Sequence, residues 1–472
     1  MFEQRQENEQ QREFWVVATE LPAATPDGFY RRVNQTLAKM DFAQQIWAIC
    51  KPAYADAARG GRPGIDPVVY VKMLMVGFFE NLPSERAIAA RCADSLSIRG
   101  FLGYPLTEDT PDHSSLSVIR QRLSREQFDA MHVVLLRALR GHGLLKGRHL
   151  GIDSSVIEAN ASLRALQHRN SEQSYWDYVK ALAKAAGVDP EDTKAVRRFD
   201  KKRTGRKTSN KEWVNPHDPE AKVGRTKHGA TDMIYKPEHV TDLESGAIVD
   251  VEVRAGDAGD NDAQMADRVL AAVGALVEVA PEADGAKLGA TIVADEGYFA
   301  LAQIATLQGY GVRTVIADPL AGRRRKDAAE QDQRALRKAA RATTSASGKA
   351  WLRKRGEHLE RSFAHVLDHG GLRRATLKGC ENLTKRHYAA ALSFNLSLLL
   401  RHVFGVGTAK QWLAKRLGRP FAALGIIISV LFALFVDRNS RQQRISPPRR
   451  MFAPQIQRPL RLRLMFGFST GC

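Results

Sequence analysis

Three carboxylates stand where an α/β fold can bring them together. The short apolar run Leu150-Gly-Ile152 ends at Asp153, and small polar residues follow. A buried strand reads this way when it lifts an acid to the rim of a sheet. Ala290-Thr-Ile-Val-Ala294 repeats the pattern and ends at Asp295, and Gly297 lets the chain turn into a helix. The third acid lies on a predicted helix over about 349–367. At 100° per residue Leu352, Gly356, Leu359, Phe363 and Leu367 share one side, and Glu360 falls about 60° from the centre of that stripe. Glu357 lies about twice as far round, toward Arg361 on the wet face, and is next in line. Each acid also has a plain reading: a strand-end Asp capping a turn, or a helix-edge Glu pairing with Arg353 or Arg361.

Three converging carboxylates suit one chemistry well. Mg²⁺ prefers carboxylate oxygens. Two such ions roughly 3.5–4 Å apart clamp the attacking and leaving oxygens of a phosphodiester, and no nucleophilic side chain is needed. No Walker A loop, GxSxG elbow or HExxH helix competes for another chemistry.

The elements that must position these acids follow in order. From Phe29 to Leu145 the pattern is helical throughout. Helix starts are legible at Asp66-Pro67, Ser84, Asp112 and the capping-box pair Ser124 and Gln127. The helix over Val68–Phe79 is apolar nearly all round and so is central to its domain. Short helices with tight turns suit a DNA-binding or packing domain, with Arg120, Arg122 and Arg125 placed to grip DNA. Residues 161–225 read as an insertion, helical over Tyr175–Ala186 and carrying the basic runs Lys201-Lys-Arg203 and Arg206-Lys207, which can track a phosphate backbone. Met233–Thr241 and Ala247–Val253 read as a hairpin, with Pro237 favouring an edge strand. Asp260-Asn261 caps the next helix, which runs through Met265, Val269 and Val273. His239 can line the site, although a strand histidine is more often structural. Residues 320–350 are basic and poor in large apolar side chains, which suggests a second insertion.

Composition bounds the partner. The 472 residues carry 71 Lys+Arg against 52 Asp+Glu, a net charge of +19. Such an excess points to a polyanion, with nucleic acid the commoner case. Cys50, Cys92, Cys380 and Cys472 show no CxxC spacing, which argues against a zinc site or a disulfide framework and for a reducing cytosol. The polar N-terminus carries no signal peptide pattern. The apolar run Phe421–Val436 is shorter than the about 20 residues a span needs.

At this point the residues resemble a family, the bacterial insertion-sequence transposases of the DDE class. Gly61-Arg-Pro-Gly-Ile-Asp-Pro67, Phe101-Leu-Gly103 and Pro111-Asp-His-Ser-Ser-Leu-Ser117 resemble their helical N-terminal domain. Gly151-Ile-Asp153-Ser-Ser, Asp218-Pro-Glu-Ala, Thr226-Lys-His-Gly229, Tyr235-Lys-Pro-Glu-His-Val-Thr-Asp242, Ala294-Asp295-Glu-Gly-Tyr298, Glu360-Arg-Ser-Phe363 and Ala391-Leu-Ser-Phe-Asn-Leu396 resemble the catalytic domain. The likeness runs from about 30 to 400, with the motifs in order. It implies an α+β/α/β chain: an all-helical N-terminal domain, then an RNase H-like mixed-sheet catalytic core with insertions. The divisions are a polar lead-in 1–28, a helical DNA-binding domain 29–145, a catalytic domain 146–404 and a basic, apolar tail 405–472.

The resemblance also implies that Asp153, Asp295 and Glu360 bind two Mg²⁺ ions, with Mn²⁺ able to substitute. It implies double-stranded DNA as partner, both terminal repeats and target, a homodimer in the DNA complex, no stable membrane association, and a cytoplasmic, nucleoid-associated location. Arg225, Lys227, Arg361, Arg373, Arg374 and Lys378 are the expected phosphate contacts. One subgroup carries a Tyr, Arg, Glu, Lys signature around its glutamate. Here those flanking positions hold Arg353, Gly356 and Leu367, so Glu360 rests on Glu-Arg-Ser-Phe and on helix geometry. Two other readings share the residues: a catalytically degenerate DNA-binding remnant, and a metal-dependent nuclease without strand transfer.

Overall fold

The expected helix starts are made by the expected side chains. Asp66 accepts a hydrogen bond from Val68 N at 2.7 Å with Pro67 in the first turn. Ser84, Asp112 and Ser124 cap in the same way, and Ser124 and Gln127 form the reciprocal box. The computed structural model describes residues 28–54, 64–171, 173–204, 209–279, 289–320 and 330–415. The lead-in before residue 28, Arg206-Lys207, the apolar run 421–436, Cys472 and most of the tail lie outside the described residues. The described residues up to Trp412 belong to one compact unit, and Leu413–Lys415 to a second. The helices and strands between Phe29 and Phe404 all lie in the first unit.

Helices α1 (Phe29–Lys39), α2 (Phe42–Cys50), α3 (Pro67–Phe79), α4 (Glu85–Asp94), α5 (Leu96–Leu102), α6 (His113–Arg122) and α7 (Arg125–Gly141) come first. α3 is central, buried from Pro67 to Phe78 except at the half-buried Lys72. At Gly77 a Cβ would stand 2.5 Å from Ile88 Cδ1, so only glycine lets α4 approach this closely. Arg120 is buried and ion-paired to Glu85, and it also donates to Asn382, so it holds helices together and is not free to grip DNA. Arg125 pairs with Glu252 at 3.2 Å, and Arg122 lies over the Tyr54 ring.

The sheet comes next: β1 (His149–Ser154), β2 (Ile157–Glu158), β5 (Lys222–Arg225), β6 (Thr231–Asp242), β7 (Ile248–Ala255), β8 (Thr291–Ala294) and β9 (Arg313–Ile316). β7, β6 and β1 are antiparallel neighbours, and β8 and β9 continue parallel to β1. Three antiparallel strands and then two parallel ones make the mixed sheet of an RNase H-like core. Pro237 is not on an edge strand, because β6 pairs on both sides. It is tolerated where β1 stops pairing, at Ser154↔Glu238. Its partner Val253 sends its N–H to Thr384 Oγ1.

Helices cover both faces: α10 (Met265–Val279), α11 (Leu301–Gly309), α12 (Glu330–Thr344), α13 (Ala346–Phe363), a π-helical turn Ala364–His369, and α14 (Cys380–Phe404). α14 is long and apolar, and here it is a core helix. The Asn395 amide bonds both Ile248 N (3.0 Å) and Ile248 O (2.7 Å), and Tyr388 donates to Asp250 at 2.6 Å. One apolar cluster runs from Phe29 through β6 and β7 to Leu400, so the helical segment and the sheet share a core.

Two expected insertions hold more structure than the sequence suggests. Residues 161–225 contain β3 (Gln167–His168), α8 (Tyr175–Ala185), α9 (Thr193–Lys202) and β4 (Trp213–Val214). The described part of 320–350 is largely α12, which buries Ala335, Ala339 and Ala342. Its contact face is alanine, the best helix former, so a search for large apolar residues passes over it. α10 begins at Met265, and Asp262 rather than Asp260 accepts a backbone N–H before it, from Gln264.

Candidate active site

Two of the three acids meet. β1 and β8 are parallel neighbours in register His149↔Thr291 to Gly151↔Val293, so the residues that leave their carboxyl ends lie side by side. Sites in open α/β sheets form at such strand ends. Asp153 Oδ1 accepts from Ser154 N (2.9 Å), and Asp295 Oδ1 accepts from Gly297 N (2.9 Å) as the first cap of a 3₁₀ turn over Glu296–Tyr298. Each acid thus has one oxygen fixed by its own turn. A Cβ at Gly297 would stand 3.0 Å from that Asp295 oxygen.

The other oxygens converge on one cation. Arg355, on α13, places Nη1 3.0 Å from Asp153 Oδ2 and 3.9 Å from Asp295 Oδ2. Its stem lies on Gly151, where a Cβ would meet Arg355 Cγ and Leu359 Cδ1 at 3.2 Å. The bare β1 backbone is what lets α13 lie flat here.

α13 is held by a buried histidine. His239, opposite Asp153 in the β1–β6 register, bonds Ser362 Oγ through Nδ1 at 3.0 Å and stacks on Phe363 at 4.3 Å. It is fully buried, and desolvation keeps it neutral, well below its ordinary pKa. His239 is therefore a structural anchor.

Glu360 does not join the pair in this structure. The sheet-facing side of α13 carries Arg355, Leu359, Ser362 and Phe363, and Glu360 is exposed. Among the described residues no group of three His, Cys, Asp or Glu stands at metal-holding spacing. Glu357 pairs with Arg361 at 2.9 Å on the wet face, as expected.

A second layer, not assigned to the site from the sequence, fixes both aspartates. Ser154 Oγ donates to Asp260 Oδ1 at 2.8 Å, and Arg254 Nη2 donates to the same oxygen at 2.9 Å. Arg254 also holds the buried Glu238 (2.8 Å), which accepts from Arg268 Nε (2.6 Å) and Tyr298 Oη (2.8 Å). Tyr298 ends the turn that begins at Asp295. The signal available for these two was their place in the family-like motifs, Glu238 within Tyr235–Asp242 and Tyr298 within Ala294–Tyr298. Asp218, from another such motif, is buried and accepts from Tyr235 Oη.

Of the expected phosphate contacts, Arg225, Lys227, Arg374 and Lys378 are exposed. Arg361 is held by Glu357, and Arg373 by Asp368 at 2.7 Å.

The carboxylate pair has an electrostatic cost. Burial raises the Asp153 pKa from 3.8 to about 6; Arg355 opposes the shift and Asp295 adds to it. In the metal-free fold Asp153 therefore keeps its proton to about pH 6, but when unfolded it loses it near 3.8. Between those values the folded chain binds more protons. Stability from this group is fully present below about pH 4 and is lost as pH rises through about 6. Asp153→Asn removes the titration. The melting temperature of the variant minus that of the wild type should rise across this window and stay level from pH 7 to 8. A difference that grows toward acid pH would contradict the assignment.

Two family models match the chain. "Transposase domain (DUF772)" covers residues 20–122, and "Transposase DDE domain" covers residues 188–396. The second match contains Asp295, Arg355 and Glu360 but begins after Asp153, which joins the set through β1 and Arg355. No curated protein matches the chain. Among solved structures, a pre-cleavage Mos1 transpososome aligns at 12% identity and TM-score 0.20, covering 66% of this chain and 81% of that one. A Mos1 paired-end complex with Mn aligns at 11% and 0.19, covering 68% and 87%. Alignments this loose carry no weight beside the geometry.

Proposed function

We propose that this chain, which transposase family models match over residues 20–122 and 188–396, is a DDE transposase that binds the terminal repeats of an insertion sequence, cuts the element ends and joins them to target DNA. The observation that carries the reading is the shared guanidinium. Two carboxylates from neighbouring parallel strands already converge on one positive charge, Arg355. Hard oxygens that share a guanidinium can share a hard divalent cation, so the residues present fit the metal such chemistry uses. Asp153 and Asp295, with Glu360 as the third acid, would hold Mg²⁺ or Mn²⁺, which when bound supplies Lewis acidity at the phosphodiester.

The chain's own residues do the rest. Ser154 N and Gly297 N orient the two carboxylates. The His239–Ser362 bond and the Phe363 stack keep α13 against β6. Arg225, Lys227, Arg374 and Lys378 are exposed cations for the DNA backbone, and Arg361 and Arg373 can join by exchanging a carboxylate for a phosphate. Two element ends must be held together for joining, which favours a homodimer on DNA, working in the bacterial cytoplasm at the nucleoid.

The test is a labelled terminal-repeat duplex incubated with wild type or Glu360→Gln and Mg²⁺. Wild type is expected to yield cut and joined products. The variant is expected to bind with similar affinity and to cut at least about a hundredfold more slowly, the scale of losing one charge-stabilising group. Cutting without joining would reduce the reading to a nuclease, and binding without cutting would reduce it to a remnant. Full activity in Glu360→Gln would move the third acid elsewhere, with Glu357 first.

A further inference from the structure

The inserted segment between β2 and β5 carries a surface that the catalytic geometry leaves unused. Helix α9 spans Thr193–Lys202 with Asp192 capping it through Lys194 N (2.9 Å) and Ala195 N (3.1 Å). At 100° per residue Lys194, Arg197, Arg198, Lys201 and Lys202 fall within one arc of about 140°. All five are exposed, and none of their side chains has a hydrogen bond or ion pair among the described residues. The opposite arc is buried: Val196 packs on Val179 and Ala183 of α8, with Phe199 against the same cluster.

The one acid within the helix is turned away from the cations. Asp200 is buried, accepting from Tyr175 Oη (3.1 Å) and Arg203 Nε (2.8 Å). Arg203, the last residue of the basic run, therefore faces inward. Of the acids just before the helix, Asp192 is spent on the cap and Glu191 pairs with Lys180 at 3.4 Å. The helix thus carries like charges at i,i+4 three times, Lys194–Arg198, Arg197–Lys201 and Arg198–Lys202, an arrangement that opposes helix formation. A packed underside, a cap and a bound Asp200 hold it helical regardless. A polyanion on the outer face would relieve the repulsion.

We propose that the exposed face of α9 docks on the phosphate backbone of duplex DNA. Charge density selects the occupant. From Lys194 to Lys202 the helix advances about 12 Å. Over that length duplex DNA presents roughly seven phosphates, at one charge per about 1.7 Å of axis. Five cations from one helix approach that density. Backbone docking carries no base reading, so the contact serves element ends and target DNA alike. The proposal rests on the transposase reading, because it needs a chain that works on duplex DNA.

The experiment compares the full chain with Arg197→Gln/Arg198→Gln/Lys201→Gln/Lys202→Gln. Dissociation constants are measured against salt for a terminal-repeat duplex and for an unrelated duplex. Each lost phosphate contact lowers the log–log salt slope by about 0.9, so the variant slope is expected to be shallower by about 3–4, equally on both duplexes. Its melting temperature is expected to be unchanged or higher, because repulsion is removed, so weaker binding will not come from misfolding. An unchanged slope in a folded variant overturns the proposal alone. A loss confined to the terminal-repeat duplex also overturns it, since the face would then read sequence. A loss seen with single-stranded RNA but not with duplex DNA assigns the face to another polyanion and overturns it as well. A wild type that binds neither duplex overturns both the proposal and the reading beneath it.

Discussion

Asp153→Asn and Asp295→Asn are each expected to lower the proposed metal-dependent cleavage of a terminal-repeat duplex by roughly three orders of magnitude, while DNA affinity is expected to stay within about twofold. The size follows from what a divalent cation contributes, several kcal/mol of charge stabilisation at the reacting phosphate. About 4 kcal/mol corresponds to roughly a thousandfold in rate. Asparagine keeps the shape and one acceptor oxygen, so Ser154 N and Gly297 N still find partners and the turns persist. What is lost is half the negative charge facing Arg355. The double variant should be little worse than either single one, because residues that act as a unit are strongly non-additive. Single-turnover cleavage beside a gel-shift titration checks this. A loss below about tenfold at Asp295 would remove it from the reacting centre.

The two aspartates are legible in the sequence because their signal is local. An apolar run ending in an acid reports a strand end wherever the strand is placed, and β1 and β8 end within a residue or two of the expected points. Their adjacency is not local. It comes from register, and Arg355, which ties them together, escapes a reading that seeks the sheet-facing side of α13 among apolar residues alone. Arg355 and Ser362 also face the sheet, one for its charge and the other for its hydroxyl, and Glu360 lies exposed. Arg120 fails the other way. A cation on a short helix suggests DNA, but a glutamate 35 residues earlier in the chain buries it. Long-range pairing of charges leaves no periodic trace, whereas caps and boxes do. That is why the helix starts at Asp66, Ser84, Asp112 and Ser124 are readable and the interior ion pairs are not.

Those interior pairs carry the largest expected effect on stability. Glu238 is 2% exposed and is shared by Arg254 and Arg268, each 7% exposed, which also share the half-buried Asp262 nearer the surface. Truncating the most buried partner leaves both guanidiniums dependent on the more exposed Asp260 and Asp262, and breaking a buried ionic group costs about 3–5 kcal/mol. Glu238→Ala should therefore lower the melting temperature by roughly 3–6 °C, the shift expected for a cooperative unit of this size. Tyr298→Phe removes one hydrogen bond to the same carboxylate, a loss of about 1.5–3 kcal/mol. The network can be told from ordinary packing by replacing it whole. Glu238→Leu with Arg254→Met and Arg268→Met restores an apolar interior of similar volume and should recover most of the stability. It should not recover cleavage. Arg254 also fixes Asp260, which holds Ser154 beside Asp153, and Tyr298 ends the turn of Asp295. Losing groups that orient catalytic ligands costs about 10–100-fold. A triple variant that is both stable and fully active would mean the buried charges serve the fold alone. A stable variant with depressed cleavage and intact DNA binding would mean they set the geometry of the two aspartates.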